Sequence, residues 1–497
     1  MNHWVVAPVV LPLVAAVLLL FTERAAPRWS GAMNLMATLA LLAVALKLLS
    51  GAAAGEVAVY LVGNWPASVG IALAVDRLGA LMITLAAVLA LCALGFALSG
   101  SWARATHFHP LFQLQLMGLN GAFATADLFN LFVFFEVLLI ASYGLLLHAP
   151  SARRVAAGLH YVILNLAGSS VFLIAIGLLY GVAGTLNMAD LAVAIRGLPE
   201  ADAALARAAG LLLLAVFGLK AALLPLYFWL PSTYACAPAP VAALFAIMTK
   251  VGVYAIVRVF TLLFGAGAGA AANLAAPVLL PLALITLLAA ALGALAAARL
   301  RTLAAWLVVG SAGTLLAAVG LFSAGGLTAA LYYAIHSTLA GGALFLIAEL
   351  VRGSRGTLED RLQGGAPLAQ PALLGALYFA AAVALAGLPP LSGFLGKFML
   401  LQGALGDARA PLVFAVVLGA GLLVLVALAR AGSRLFWNTG SGPAVGTRAS
   451  VAAVAPVALL LAGGVALSVL ASPVRGYAAA AAEQLLAPQS YIDRVLG

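Results

Sequence analysis

Residues 219–240 read LKAALLPLYFWLPSTYACAPAP. The run is apolar enough to lie in a bilayer, yet it holds Pro225, Pro231 and a lysine, Lys220. Proline removes a backbone donor and clashes with the preceding turn, so a helix here is interrupted. Interrupted spans persist at membrane depth only where the freed backbone faces protein or a hydrated cavity. Residues 385–398, LAGLPPLSGFLGKF, repeat the arrangement with Pro389, Pro390, Gly393 and Lys397. Two interior-facing breaks, each with its own lysine, predict an all-α polytopic membrane protein whose working parts lie inside the bundle.

Around these breaks, apolar stretches of about 20 residues recur, each long enough for the ~30 Å hydrocarbon core. They predict about fourteen transmembrane helices, at 4–22, 31–50, 78–99, 108–125, 128–148, 153–181, 207–230, 239–264, 273–298, 302–322, 326–351, 371–404, 409–436 and 451–471. The broken helices are the seventh and twelfth. An offset of five helices is odd, so two such units run in opposite directions, the pattern of an inverted-repeat transporter. The expected divisions are 1–107 for helices 1–3, 108–264 and 272–436 for the two five-helix repeats, and 437–497 for helix 14 and a tail. Residues 51–77 predict a short external hairpin turning at Asn64 to Pro66. Residues 182–206 predict an amphipathic surface segment.

Hydrophobic residues make up 66% of the chain and charged residues 8%. No segment of soluble character is left over, and a globular soluble enzyme is excluded. The net charge of +10 is carried by loops and segment ends. It sets topology and is not a nucleic-acid signal. Thirteen basic residues fall in odd-numbered loops and five in even-numbered ones. That bias predicts odd loops in the cytoplasm and both termini outside. Glu23, Arg24 and Arg28 follow the first apolar run, the order expected of a retained helix rather than a cleaved signal peptide. Cys92 and Cys236 give no disulfide framework, and no histidine shows metal-ligand spacing. No nucleotide loop or nucleophile constellation is present, so neither a catalytic residue nor a cofactor is expected.

The basic residues are four lysines and twenty arginines. Three of the four lysines, Lys220, Lys250 and Lys397, lie inside apolar runs. Arginine keeps its proton in a protein, whereas a desolvated lysine can give it up. Glu136 lies nine residues beyond Asp127, roughly 13 Å into its helix at 1.5 Å per residue. Lys250 and His336 each lie ten residues past a segment start, about 15 Å in by the same rise. Groups at that depth must face the bundle interior and pair or lose charge. Buried ions can also serve as glue between helices. Glue would work equally with arginine, which this chain otherwise prefers. The five groups therefore read as a proton path, laid side by side at similar depth. Ser311, Thr314, Ser337 and Thr338 are the expected polar fillers between them. Glu349 is expected to pair with Arg352 near a helix end. Arg258 is expected to snorkel toward the outer interface. Phe129, Phe132, Phe134 and Phe135 are expected to pack.

The runs DLFNLFVFFEVLLIASYGLLLH (127–148), 219–259, HSTLAGGALFL (336–346) and GLPPLSGFLGKF (387–398) resemble the antiporter-like membrane subunits of Mrp-type cation/proton antiporters and of complex I. The resemblance covers about residues 70–435. Length and motif wording are most similar to the D-subunit branch. The resemblance implies a fourteen-helix fold with a hydrophilic mid-membrane axis. On it, Glu136 and Lys220 form an ion pair, Lys250 is the middle relay, His336 links the repeats and Lys397 is the terminal lysine. It further implies proton transport coupled to a monovalent cation, Na+ first. The setting would be a hetero-oligomer with other membrane subunits in a bacterial cytoplasmic membrane. The alternative is a proton-pumping membrane subunit of an NADH:quinone oxidoreductase or related hydrogenase.

Overall fold

The computed structural model describes residues 2–148, 151–440, 444 and 446–497. The chain opens with α1 (Ala7–Ala25) and α2 (Pro27–Ala53), an antiparallel hairpin of β1 (Ala58–Leu61) and β2 (Ala72–Val75), and α3 (Arg77–Leu98). Leu61 pairs with Ala72, so the expected turn at Asn64 to Pro66 lies within a wider loop. Next come α4 (Phe108–Ala124), α5 (Leu128–Leu146), α6 (Ala152–Ala183) and the short amphipathic α7 (Met188–Arg196). A broken span follows, α8 (Glu200–Ala221) and α9 (Trp229–Cys236), then α10 (Ala239–Phe245) and α11 (Met248–Leu262). The second half runs through α12 (Ala276–Ala296), α13 (Leu300–Val319), α14 (Ala324–Gly353), a second broken span of α15 (Pro371–Ala386) and α16 (Ser392–Ala404), and α17 (Ala410–Gly432). The last helices are α18 (Val451–Val469), α19 (Ala471–Leu486) and α20 (Gln489–Leu496).

Among the described residues, twelve helical stretches are long and apolar enough to cross a membrane, α10–α11 counting as one. The 17-residue α4 and the broken α15–α16 bring the spans to fourteen. The spanning window of α10–α11 is wholly buried and that of α14 is 89% buried, against 33% for α1 and 22% for α18. The middle of the bundle is therefore α10–α11 and α14, the helices that carry Lys250 and His336.

The breaks follow the proline chemistry. Lys220 is the penultimate residue of α8, and Ala222 then turns left-handed at φ 60°. Residues 223–228, Pro225 among them, are non-helical. The freed groups find partners inside the protein. Leu224 N–H donates to Thr286 Oγ1 at 2.9 Å, and Trp229 Nε1 donates to the Leu219 carbonyl at 3.1 Å. Pro231 lies within the first turn of α9, where its missing N–H costs nothing, so only Pro225 interrupts the helix. At the second break Gly387 takes φ 80°, and Pro389 and Pro390 occupy the gap before Ser392. One break was not foreseen. The single helix expected over 239–264 is interrupted at Ala246–Ile247, next to Lys250.

Gly252 brings α11 onto the backbone of α8 beside Lys220. A Cβ there would lie 2.8 Å from both the Lys220 carbonyl carbon and the Phe217 oxygen. Backbone cannot move aside as a flexible side chain does, so overpacking here costs about 1–3 kcal/mol. Gly252→Ala is expected to lower both thermal stability and transport. Gly177→Ala, with nothing within 4 Å of the added carbon, should leave both unchanged. Equal behaviour of the two variants would show that the close approach is unimportant.

Arg258 does not snorkel. Its side chain is 3% exposed and donates two parallel hydrogen bonds to Asp76, at 2.6 and 2.8 Å. Tyr254 and Tyr491 flank the guanidinium, with ring centroids 5.6 and 4.8 Å away. Asp76 caps α3, accepting from Gly79 N–H at 3.0 Å. Sequence spacing along α11 gave the depth of Arg258 but not the carboxylate folded over it. Tyr491 belongs to α20, so the expected tail after helix 14 is two further helices packed on the bundle. Tyr477 of α19 adds a hydrogen bond to the Arg77 carbonyl at 2.8 Å. Removing one partner of a buried pair strands the other, at roughly 3–5 kcal/mol, whereas removing both costs less. Arg258→Ala is expected to destabilise the chain strongly in a thermal unfolding assay. Arg258→Met combined with Asp76→Leu should recover much of that loss. A double variant worse than the single would contradict the stranded-charge account.

Candidate functional site: a buried chain of ionisable groups

Glu136 is the ninth residue of α5, a helix capped by Asp127, whose carboxylate accepts from Asn130 N–H at 2.7 Å. Lys220 projects from the end of α8 toward α6. Its Nζ donates to the Asn165 carbonyl at 3.3 Å, to Asn165 Oδ1 at 3.2 Å and to Ser169 Oγ at 3.5 Å. Ser169 also donates to Glu136 Oε1. The expected ion pair is therefore bridged by Ser169 rather than made in direct contact. The bridge allows charge to be shared between α5 and α8 through one hydroxyl. Phe135 faces the same ammonium, 5.8 Å from ring centroid to Nζ. Phe135 also contacts Phe172 and Phe217, and Phe134 is buried, whereas Phe129 is exposed and does not pack as expected.

Lys250 on α11 is 1% exposed and donates to Ser311 Oγ of α13 at 3.0 Å. Ser311 also lines a small cavity of about 30 Å³. Thr314, Tyr333, Ser337 and Lys397 share its wall. That volume is on the order of the ~30 Å³ share of one liquid water. Three of the four expected fillers thus stand between Lys250 and Lys397. The fourth, Thr338, turns back on its own helix and donates to the Ala334 carbonyl at 2.7 Å.

His336, on α14, faces the start of α16. Its Nδ1 lies 2.9 Å from Ser392 Oγ, at the start of α16, and its Nε2 has no protein partner. Ser337 and Thr338, next to it in sequence, bond the Ala334 carbonyl instead. His336 lines a separate cavity of about 40 Å³ with Ser392, Leu460 and Gly464. Ser311, the partner of Lys250, thus shares a cavity with Lys397, and His336 faces a second cavity within electrostatic reach of both lysines. Lys397 donates to the Ala386 carbonyl at 2.8 Å, which is freed where α15 ends. The second break thus supplies a backbone acceptor directly to its lysine.

Burial differs along the chain. Lys220, Lys250 and His336 are 5%, 1% and 1% exposed. Glu136 and Lys397, at the two ends, are half-buried. Beside Glu136, Val133 and Ile140 are exposed, and beside Lys397, Phe398 and Leu418 are exposed. A cavity of about 280 Å³ opens at Lys397 between Pro389, Phe394 and Leu418. Both ends of the row therefore reach apolar outer faces of this chain.

The sequence missed Asn165, Ser169 and Ser392. Asn165 and Ser169 are spaced i, i+4 on α6, one polar stripe within an apolar run, which was the available signal. Glu349 pairs with Arg352 as expected, and with Arg301 of α13 as well.

Residues 125–423 match the family model described as NADH:quinone oxidoreductase/Mrp antiporter, TM. The chain is 42% identical to the D subunit of a probable K(+)/H(+) antiporter of Rhizobium meliloti (strain 1021), over all of this chain and 98% of that protein. It is 35% identical to the D subunit of the Na(+)/H(+) antiporter of Bacillus subtilis (strain 168), each covered in full. Among solved structures it is similar to a chain of the Mrp complex from Dietzia sp. DQ12-45-1b, with TM-score 0.89, 28% identity and full coverage of both. The chain belongs to the NADH:quinone oxidoreductase/Mrp antiporter transmembrane family.

Proposed function

We propose that this chain is the proton-translocating subunit of a multisubunit monovalent cation/proton antiporter. The proton moves laterally along Glu136, Lys220, Lys250, His336 and Lys397, with the Ser169 and Ser311 hydroxyls beside the first and middle lysines. The observation that carries the reading is the Ser311 cavity. It is lined by Ser311, the partner of the buried Lys250 on α11, and by the half-buried Lys397 of α16, with hydroxyls around a water-sized space. Hydroxyls donate and accept, so such a chain can pass a proton where a static ion pair cannot. The same element order supports two repeats, at 108–264 and 272–436: three continuous spans, a broken fourth and a fifth.

The half-buried ends explain the need for partners. A carboxylate at one apolar face and an ammonium at another are costly against lipid. Other membrane subunits covering those faces would complete the row. The chain then acts as a transporter subunit rather than an enzyme, in a bacterial cytoplasmic membrane with both termini outside. Relatives are named for K+ and for Na+, so the expectation of Na+ widens to both. Everted vesicles carrying the whole complex decide this. Dye-reported proton movement should follow addition of K+ or Na+ and be absent with choline. No cation-dependent signal, together with co-purifying iron–sulfur and flavin subunits, would favour the oxidoreductase reading.

A further inference from the structure

We propose that the arginine-rich end of the bundle holds a binding site for a phosphate-bearing anion, separate from the proton path. A cavity of about 230 Å³ lies where α6 and α13 begin and where α9 and α14 end. Arg153, Arg154, Arg299, Arg301 and Arg352 line it, against Glu359 and Asp360. Glu349 lies beside it and is taken by Arg301 and Arg352. Five cations against three carboxylates leave an excess of two positive charges.

The carboxylates act as wall braces. Arg299 holds Glu359 at 2.8 Å and Asp360 at 3.2 Å. Asp360 also accepts from the Arg301 amide at 3.1 Å. The hydrogen bond from Arg299 holds the Glu359 carboxyl below its ordinary range, so it stays ionised and paired. Arg154 is anchored to the Cys236 carbonyl at 2.9 Å. Arg153 is exposed and the Arg352 side chain is 37% exposed, so both offer charge at the mouth. Ser151 and Thr302 place the positive ends of α6 and α13 at the wall as well. Arginines that only set topology would lie scattered along the loops. These converge on one concavity, where ion pairs fix Arg299, Arg301 and Arg352.

The field has one sign of ligand. It repels hydrated monovalent cations, so they do not enter the bundle here. It suits the planar, forked pairing of guanidinium with phosphate oxygens. Two sources supply that chemistry, the headgroup of an anionic lipid or free phosphate. A basic pocket between transmembrane helices at a bilayer surface is a common headgroup site.

Cys236 is a built-in reporter, since it is part-exposed and lines the cavity, whereas Cys92 is buried. The assembled complex would be alkylated with a neutral maleimide and the Cys236 peptide quantified by mass spectrometry. Phosphatidylglycerol should slow the reaction at least about fivefold relative to phosphatidylcholine, one arginine near a surface being worth about 1 kcal/mol. Protection by millimolar inorganic phosphate without lipid identifies the soluble source, and protection by lipid alone identifies the headgroup. Arg153→Glu with Arg352→Gln should abolish either effect, while Arg301 keeps Glu349 paired. A second readout needs no ligand. With each rate taken relative to the same reagent on a free thiol, an anionic thiosulfonate should modify Cys236 faster than a cationic one, and Arg153→Glu, which cancels the excess of two charges, should abolish the preference. Equal protection by all three probes, or a faster cationic reagent in the unaltered protein, would overturn the site.

Discussion

Lys220→Ala is expected to reduce cation-driven proton movement in everted vesicles by roughly a hundredfold, while the chain still inserts and assembles. Lys220 is 5% exposed and its ammonium meets Asn165 and Ser169, with Ser169 passing on to Glu136. Without the ammonium, the Glu136 carboxylate loses the positive charge that stabilises it in a low-dielectric setting. Breaking such a unit costs about 3 kcal/mol or more, and each ~1.4 kcal/mol added to a barrier is tenfold in rate. Glu136→Ala should be as damaging, for the converse reason: it strands the Lys220 ammonium without its carboxylate. Ser169→Ala removes only the bridge and should leave a measurable fraction of activity. Immunoblots of the membranes control for protein level. Near-normal transport in either charge variant, at normal abundance, would remove these two residues from the path.

The separation between what could and could not be read from sequence has a physical basis. Lys220, Lys250 and Lys397 stood out because a charge in an apolar run is expensive wherever it points. Pro225, Pro389 and Pro390 stood out because each lies near a lysine in an apolar run; proline alone does not decide, since Pro12, Pro281 and Pro456 lie inside continuous helices. Depth along a helix is a local quantity, at 1.5 Å per residue, so the positions of these groups were legible. Which side chains meet across helices is set by rotation and packing, which no single segment records. Ser169, the Ser392 partner of His336 and the Asp76 carboxylate over Arg258 all belong to that second class. The error on Arg258 is instructive. A snorkelling arginine and a buried, paired one have the same spacing from the helix end. They differ only in a residue 182 positions away. The α19–α20 segment was read as a tail because neither helix is long enough to span. Yet Tyr491, Ile492 and Val495 form one buried face at i, i+1, i+4 spacing, the ordinary signature of an amphipathic helix.

Lys250→Arg should be nearly as damaging as Lys250→Ala, with transport close to background in both. Lys250 is 1% exposed and donates at 3.0 Å to Ser311, which lines a small cavity together with Lys397. A relay at this position must be charged in one part of the cycle and neutral in another. Arginine preserves the charge and cannot be neutral, so it stops a relay but satisfies a fixed counter-ion. The wider guanidinium could also fail by crowding a space of about 30 Å³. Lys250→His separates the two causes. Imidazole is shorter than lysine, fits the space and can lose its proton near neutral pH. The relay account therefore expects Lys250→His to keep partial transport. Its activity should fall at low pH, where the imidazole stays protonated and behaves like arginine. Full turnover in Lys250→Arg would make Lys250 a static charge. An inactive Lys250→His at every pH, in chains that fold, would place the requirement on the length of the lysine rather than on its proton.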